Sequence, residues 1–151
     1  MGIDSDRPDS KAHYLLVRSG GHRCAIPVEA AKLVTRTPRV YPLHSSDPRL
    51  LGLAQVAGEP VAVVDLHVLL DPTSDTSGGH ELTVIVGQPG GGSSLGLAVD
   101  EAFGVIAVAA LQPRGPTDPK WMAGRSSMDE GTVVMLDPEQ LFVAPNAGWE
   151  G

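Results

Sequence analysis

Glycine and proline interrupt this chain too often to leave room for long helices. Eighteen glycines and thirteen prolines are spread along 151 residues. Glycine raises the entropy cost of ordering a segment, and proline removes a backbone donor. Short strands joined by turns tolerate such punctuation best. Apolar residues still make up 42% of the chain, so a core can form. Aromatics are only 4%, so that core must be built from Val, Leu, Ala and Ile. The length suits one ordinary domain or two small, tightly joined lobes.

The segment 51–70, LGLAQVAGEPVAVVDLHVLL, shows what such strands look like. It reads as strand, turn and strand, with Gly52 and Gly58 bracketing the first half and Glu59-Pro60 at the turn. From Val61 to Leu70 the apolar residues run nearly unbroken, and half of them are β-branched valines. A run of that kind is buried on both faces. Apart from Asp65 it holds no residue suited to catalysis, which points to a surface that binds.

Elsewhere the pattern predicts a hairpin from residues 13–18 and 22–28 around Ser19-Gly20-Gly21. Residues 29–34, EAAKLV, are the best helical candidate. Ala and Lys favour helix, and Glu29 suits its positive end. A proline-rich loop follows over 35–48. Residues 71–79 are turn chemistry, and 87–94 form a glycine loop. Strands are expected at 82–86, at 95–100 and 105–109 around Phe103-Gly104, and in a closing hairpin of 121–127 and 131–136. Residues 138–142 can start a helix with Asp137 as its cap and Pro138 in first position. That gives nine or ten short strands and two short helices, an all-β barrel or sandwich. The domain is expected to span 13–143, between a disordered tail (1–12) and a flexible one (144–151). Apolar runs ending in aspartate recur at Asp65, Asp100 and Asp137, a weak repeat that supports two lobes.

Charge and composition exclude several function classes. A net charge of −7 and a pI near 5.0 repel phosphate backbones, so no nucleic-acid partner is expected. The single Cys24 excludes an internal disulfide. The N-terminus lacks an apolar signal core, and no apolar run reaches the roughly 18–20 residues of a membrane helix. The expectation is a cytoplasmic protein with no membrane insertion.

No catalytic constellation emerges. The three aspartates are best read as strand ends that cap the next turn or helix. Gly92-Ser93-Ser94-Leu95-Gly96 has the letters of a nucleophile elbow, but a glycine loop precedes it, and the last histidine, His80, lies upstream. No Gly-Lys-Ser/Thr follows the glycines, so they make a loop and not a phosphate cradle. The five histidines have no metal-ligand spacing, and neither metal nor cofactor is expected. Cys24, in an apolar strand, reads as a buried thiol. Trp121 is expected in the core of the second lobe, and Trp149 lies in the tail.

Taken in order, four blocks resemble the CheW-like family of bacterial chemotaxis coupling proteins. They are YLLVRSGGHRCAIPVEAAKLV, LLGLAQVAGEPVAVVDLHVLL, SLGLAVDEAFGVIAV and WMAGRSSMDEGTVVMLDPEQLF. The second, with its apolar strand ending in Val-Asp-Leu, is the most diagnostic. The resemblance runs from about Tyr14 to Phe142. It implies two five-stranded, SH3-like β-barrels around a shared apolar core, and a non-enzymatic adaptor. Its implied partners are the cytoplasmic tip of a chemoreceptor and the regulatory domain of a CheA-type histidine kinase. Position by position it implies partner contacts at Ala31 and Leu33 on a helix face, at Gln55, Val56, Ala57 and Gly58, at Val84 and at Gly96. Two positions depart from the family: Ala57 stands where an arginine is usual, and Leu33 where a glutamate often stands. The chain therefore reads as a divergent member.

Overall fold

The computed structural model describes residues 12–43, 49–71, 73, 80–109, 111–128 and 131–143. Apart from Ala12, which opens a strand, both expected tails lie outside the described residues, as do Trp149 and most of the 71–79 turn. The chain forms β1 (Ala12–Ser19), β2 (His22–Pro27), β3 (Ala31–Arg36), β4 (Leu50–Val56), β5 (Glu59–Asp65), α1 (Leu66–Leu70), β6 (Leu82–Gly87), β7 (Ser94–Val99), β8 (Glu101–Val108), β9 (Gln112–Pro113), β10 (Met122–Met128), β11 (Gly131–Leu136) and α2 (Pro138–Val143). The strands make two sheets, ordered β8-β1-β2-β11-β10-β9 and β3-β6-β7-β5-β4.

Both sheets close on themselves. Beyond β3, the Tyr41 backbone exchanges hydrogen bonds of 2.7 and 2.9 Å with Leu53 of β4. In the other sheet β9 comes soon after β8 and pairs with β10. Two glycines make the closures possible. A Cβ at Gly52 would run into the Tyr41 carbonyl, and one at Gly124 into the Gln112 carbonyl. Five strands therefore describe one barrel, while the other gains the two-residue β9.

The unbroken apolar runs follow from burial on both faces. Alternate residues of one strand serve different cores. Leu15, Val17, Cys24 and Ile26 face the core between the barrels, together with Val64, Leu97, Val99, Trp121, Leu136 and Leu141. Their neighbours Leu16, Ala25, Val133 and Met135 fill the six-stranded barrel. Ala54, Val63 and Ala98 fill the five-stranded one. Trp121 thus sits in the shared core and not inside a lobe.

The lobes are not sequential. The hairpin β1–β2 pairs with β8 and lies parallel to β11, while β6–β7 pairs with β3 and lies parallel to β5. Each half of the chain is hairpin, strand, hairpin, helix, and each lends its first hairpin to the other's barrel. The registers superimpose. Leu15 faces Val105 and Val84 faces Val34; Met135 faces Ala25 and Val63 faces Gly96. On that alignment Ile26–Val34 (IPVEAAKLV) matches Leu97–Val105 (LAVDEAFGV). Even the bulges coincide, at Lys32 between Ala31 and Leu33 and at Phe103 between Ala102 and Gly104. Of the recurring apolar-Asp signals, Asp65 and Asp137 hold equivalent places before α1 and α2, while Asp100 aligns with Glu29.

Three local expectations are corrected. Residues 29–34 do not form a helix. Ala30 and Ala31 donate to Pro27 and Val28 in a single turn, and the chain then enters β3. A six-residue helix is marginal on propensity, and a full ladder against β6 outweighs it. Residues 66–70 are not strand. Asp65 Oδ1 accepts from the backbone N–H groups of His67 (2.9 Å) and Val68 (3.4 Å) and starts α1. The turns also shift. Ala57-Gly58 makes the β4–β5 turn, leaving Glu59-Pro60 in β5, and Phe103-Gly104 lies within β8.

Candidate functional site

All eight residues carried over from the resemblance fall in the five-stranded barrel, on β3, β4, the β4–β5 turn, β6 and β7. Leu33 is 46% exposed on β3, with Ala31 half-buried beside it. Gln55, Ala57 and Gly58 are exposed at the end of the β4–β5 hairpin, and Val56 is half-buried. The Tyr41–Leu53 bridge draws the segment after β3 alongside β4, so β3 and β4 belong to one continuous wall. The helix face expected for Ala31 and Leu33 is an edge strand, which offers backbone groups as well as side chains.

Val84 and Gly96 lie beneath that wall. Val84 is fully buried opposite Val34. Gly96 is buried in β7, where a Cβ would come within 2.9 Å of Thr83 Cγ2. Neither offers a side chain to a partner; both set the shape of the barrel under β3.

The β4–β5 turn is strained. Ala57 has φ 54° and Gly58 φ 83°, so both central residues are left-handed, as a two-residue hairpin turn of the primed type requires. Alanine adopts that region at a cost of about 1 kcal/mol or more.

Sequence reasoning missed part of the exposed apolar surface. Val34 continues β3, and Tyr41 (55% exposed) lies beyond it under the Arg39 guanidinium, 5.1 Å from the ring centroid. On the other barrel Phe103 and Val105 (61% exposed) lie on β8, the counterpart of β3. The similarity of IPVEAAKLV to LAVDEAFGV was the signal that could have found them.

The groups that might suggest chemistry hold structure instead. Asp65 caps α1, and Asp137 caps α2 by accepting from Glu139 and Gln140 N–H groups at 3.1 and 3.4 Å. Asp100 accepts from Gly20 N–H at 2.8 Å and faces Arg18 at 3.6 Å. Cys24 is fully buried, and that burial pushes its thiol far above the ordinary cysteine range. Among the described residues no three His, Cys, Asp or Glu are arranged to hold a metal. No described helix is long and apolar enough to cross a membrane.

The comparisons agree with this architecture. The family described as CheW-like domain matches residues 13–145. Among solved structures, the chain is similar to the crystal structure of scaffolding protein TtCheW from Thermoanaerobacter tengcongensis. That likeness has a TM-score of 0.76 at 15% identity, over 91% of this chain and 97% of the other. No curated protein sequence matches the chain. The family match spans nearly all of both barrels, including the exchanged hairpins, and on it the chain belongs to the CheW-like domain family.

Proposed function

We propose that this protein is a non-catalytic adaptor that couples the cytoplasmic tip of a chemoreceptor to a CheA-type histidine kinase, through the kinase's regulatory domain. Family membership supports the adaptor role. One observation carries the choice of surface: the five-stranded barrel presents an apolar edge strand with Leu33 and Val34 exposed. Edge strands and exposed apolar residues are what protein partners use. Ala31, Leu33, Gln55, Val56, Ala57 and Gly58 make the contact face, with Val84 and Gly96 shaping it from below. The adaptor acts in the cytoplasm.

A second reading rests on two positions. Leu33 and Ala57 are exposed and uncharged where the family that the sequence resembles carries Glu and Arg. Charged rim contacts set register and partner choice. Their loss favours a module of a motility or pilus-type signalling pathway that binds one or neither of the usual partners. Array reconstitution with a chemoreceptor and a CheA-type kinase of the same organism separates the readings. Under the first, the chain co-assembles with both. Under the second, it binds at most one, and the double variant Ala57→Arg with Leu33→Glu gains the missing partner. Absence of both partners from assemblies of the chain and of the double variant sinks the coupling role.

A further inference from the structure

A polar knot lies where the β1–β2 turn of one barrel meets α1 and the start of β6 of the other. His80 Nε2 stands 3.0 Å from Asp65 Oδ2. Both atoms are sealed from water, and among the described residues neither has a hydrogen-bond partner, so the 3.0 Å approach is an ion contact. Asp65 is 1% exposed and already commits Oδ1 to the α1 cap. The remaining oxygen therefore relies on His80 for its counter-charge, and a buried carboxylate without one is costly.

Other charged and titratable groups face the same junction. α1 contributes His67, whose ring packs against Gly20. The β1–β2 region contributes Arg18 and His22, and the β7–β8 turn contributes Asp100, which faces Arg18. Beyond α1, Asp71 lies 3.8 Å from His22, and the His22 and His67 rings are 5.8 Å apart. Glu81 follows His80 in the chain and uses its carbonyl to accept from Thr37 N–H at 3.0 Å. Of these, Asp65 and Asp100 favour a protonated His80, and its partial burial opposes them. The contact with Asp65 prevails, so His80 holds its proton above the ordinary histidine range.

We propose that the Asp65–His80 contact is a proton-operated latch at one end of the five-stranded barrel, beside its junction with the other. Protonated His80 fastens the entry of β6 to the α1 cap, and loss of the proton loosens it. β6 is the strand that holds β3, so the latch acts on the strand beneath the exposed apolar edge. The folded value of His80 lies above the unfolded one. Its contribution is therefore complete below about pH 6.5 and is lost as pH rises through the folded value.

Two measurements on the intact protein test this. The first follows the imidazole protons of His80 by NMR across pH in the wild type and in Asp65→Asn, which keeps a capping oxygen. The wild-type midpoint should lie above 6.5, and the Asp65→Asn midpoint should fall back toward 6.5 or below. The second follows amide exchange at Leu82, Thr83, His67 and Val68, corrected for the intrinsic pH dependence. Protection should fall as His80 deprotonates in the wild type and stay flat in His80→Gln. A wild-type midpoint at or below 6.5, or the same protection profile in His80→Gln, overturns the latch.

Discussion

At the scale of single residues, the account rests on positions where local geometry and residue type disagree. Ala57 is left-handed in a turn that prefers asparagine or glycine. Ala57→Asn should stabilise the fold by about 0.5–1 kcal/mol, read as a higher urea midpoint at unchanged slope. An unchanged midpoint would mean that the turn carries no strain. Gly52 is the opposite case, since the Tyr41 carbonyl occupies the space of a side chain. Gly52→Ala should cost about 2–3 kcal/mol because it pries open the barrel closure. Cys24 should resist a thiol reagent until global unfolding, since its thiol is both sealed and held neutral. At the surface, the Arg125 guanidinium holds the Asp118 carboxyl down to about 2 through paired 2.9 Å hydrogen bonds. The folded value lies below the ordinary 3.8. That pair therefore contributes above pH 3.8 and is lost as pH falls toward 2, and Arg125→Gln should remove this part of the acid sensitivity.

At the scale of elements, the sequence made strands legible wherever apolar runs lay between glycine turns. β1, β2, β6 and the closing hairpin all come close to their expected bounds. It misled where local preference and tertiary pairing conflict. EAAKLV has helix-forming residues, but its backbone groups find partners on β6, and only the fold reveals that strand as a neighbour. The run after Val61 hides a change of element, because Leu66–Leu70 stays apolar while Asp65 ends the strand. Both Asp65 and Asp137 read as caps, but only Asp137, followed by proline, showed that a helix comes next. The two caps should also differ energetically. Asp137→Ala removes a half-exposed cap and should cost about 1 kcal/mol. Asp65→Ala also strips His80 of its counter-charge and should cost about 2–3 kcal/mol. Equal losses in thermal melts would show that the buried contact contributes nothing.

At the scale of the whole molecule, two barrels were legible in the sequence, but their composition was not. A repeat ending in Asp-Leu or Asp-Pro suggests lobes in succession; the structure instead exchanges hairpins between halves, because pairing partners lie far apart in the chain. Resemblance placed all its contact positions in one barrel, yet it could not tell exposed Leu33 from buried Val84. Exchange makes neither half self-sufficient. Fragments cut within 72–79 should each be unfolded and should regain β structure on mixing, as circular dichroism would report. The most direct test of the adaptor account is a calorimetric titration of the chain with the regulatory domain of a CheA-type kinase of the same organism, with Leu33→Lys as the control. The account predicts saturable one-to-one binding with Kd at or below about 10 μM, weakened at least tenfold, or roughly 1.4 kcal/mol, by Leu33→Lys. Binding that Leu33→Lys leaves untouched, or no binding at all, contradicts it.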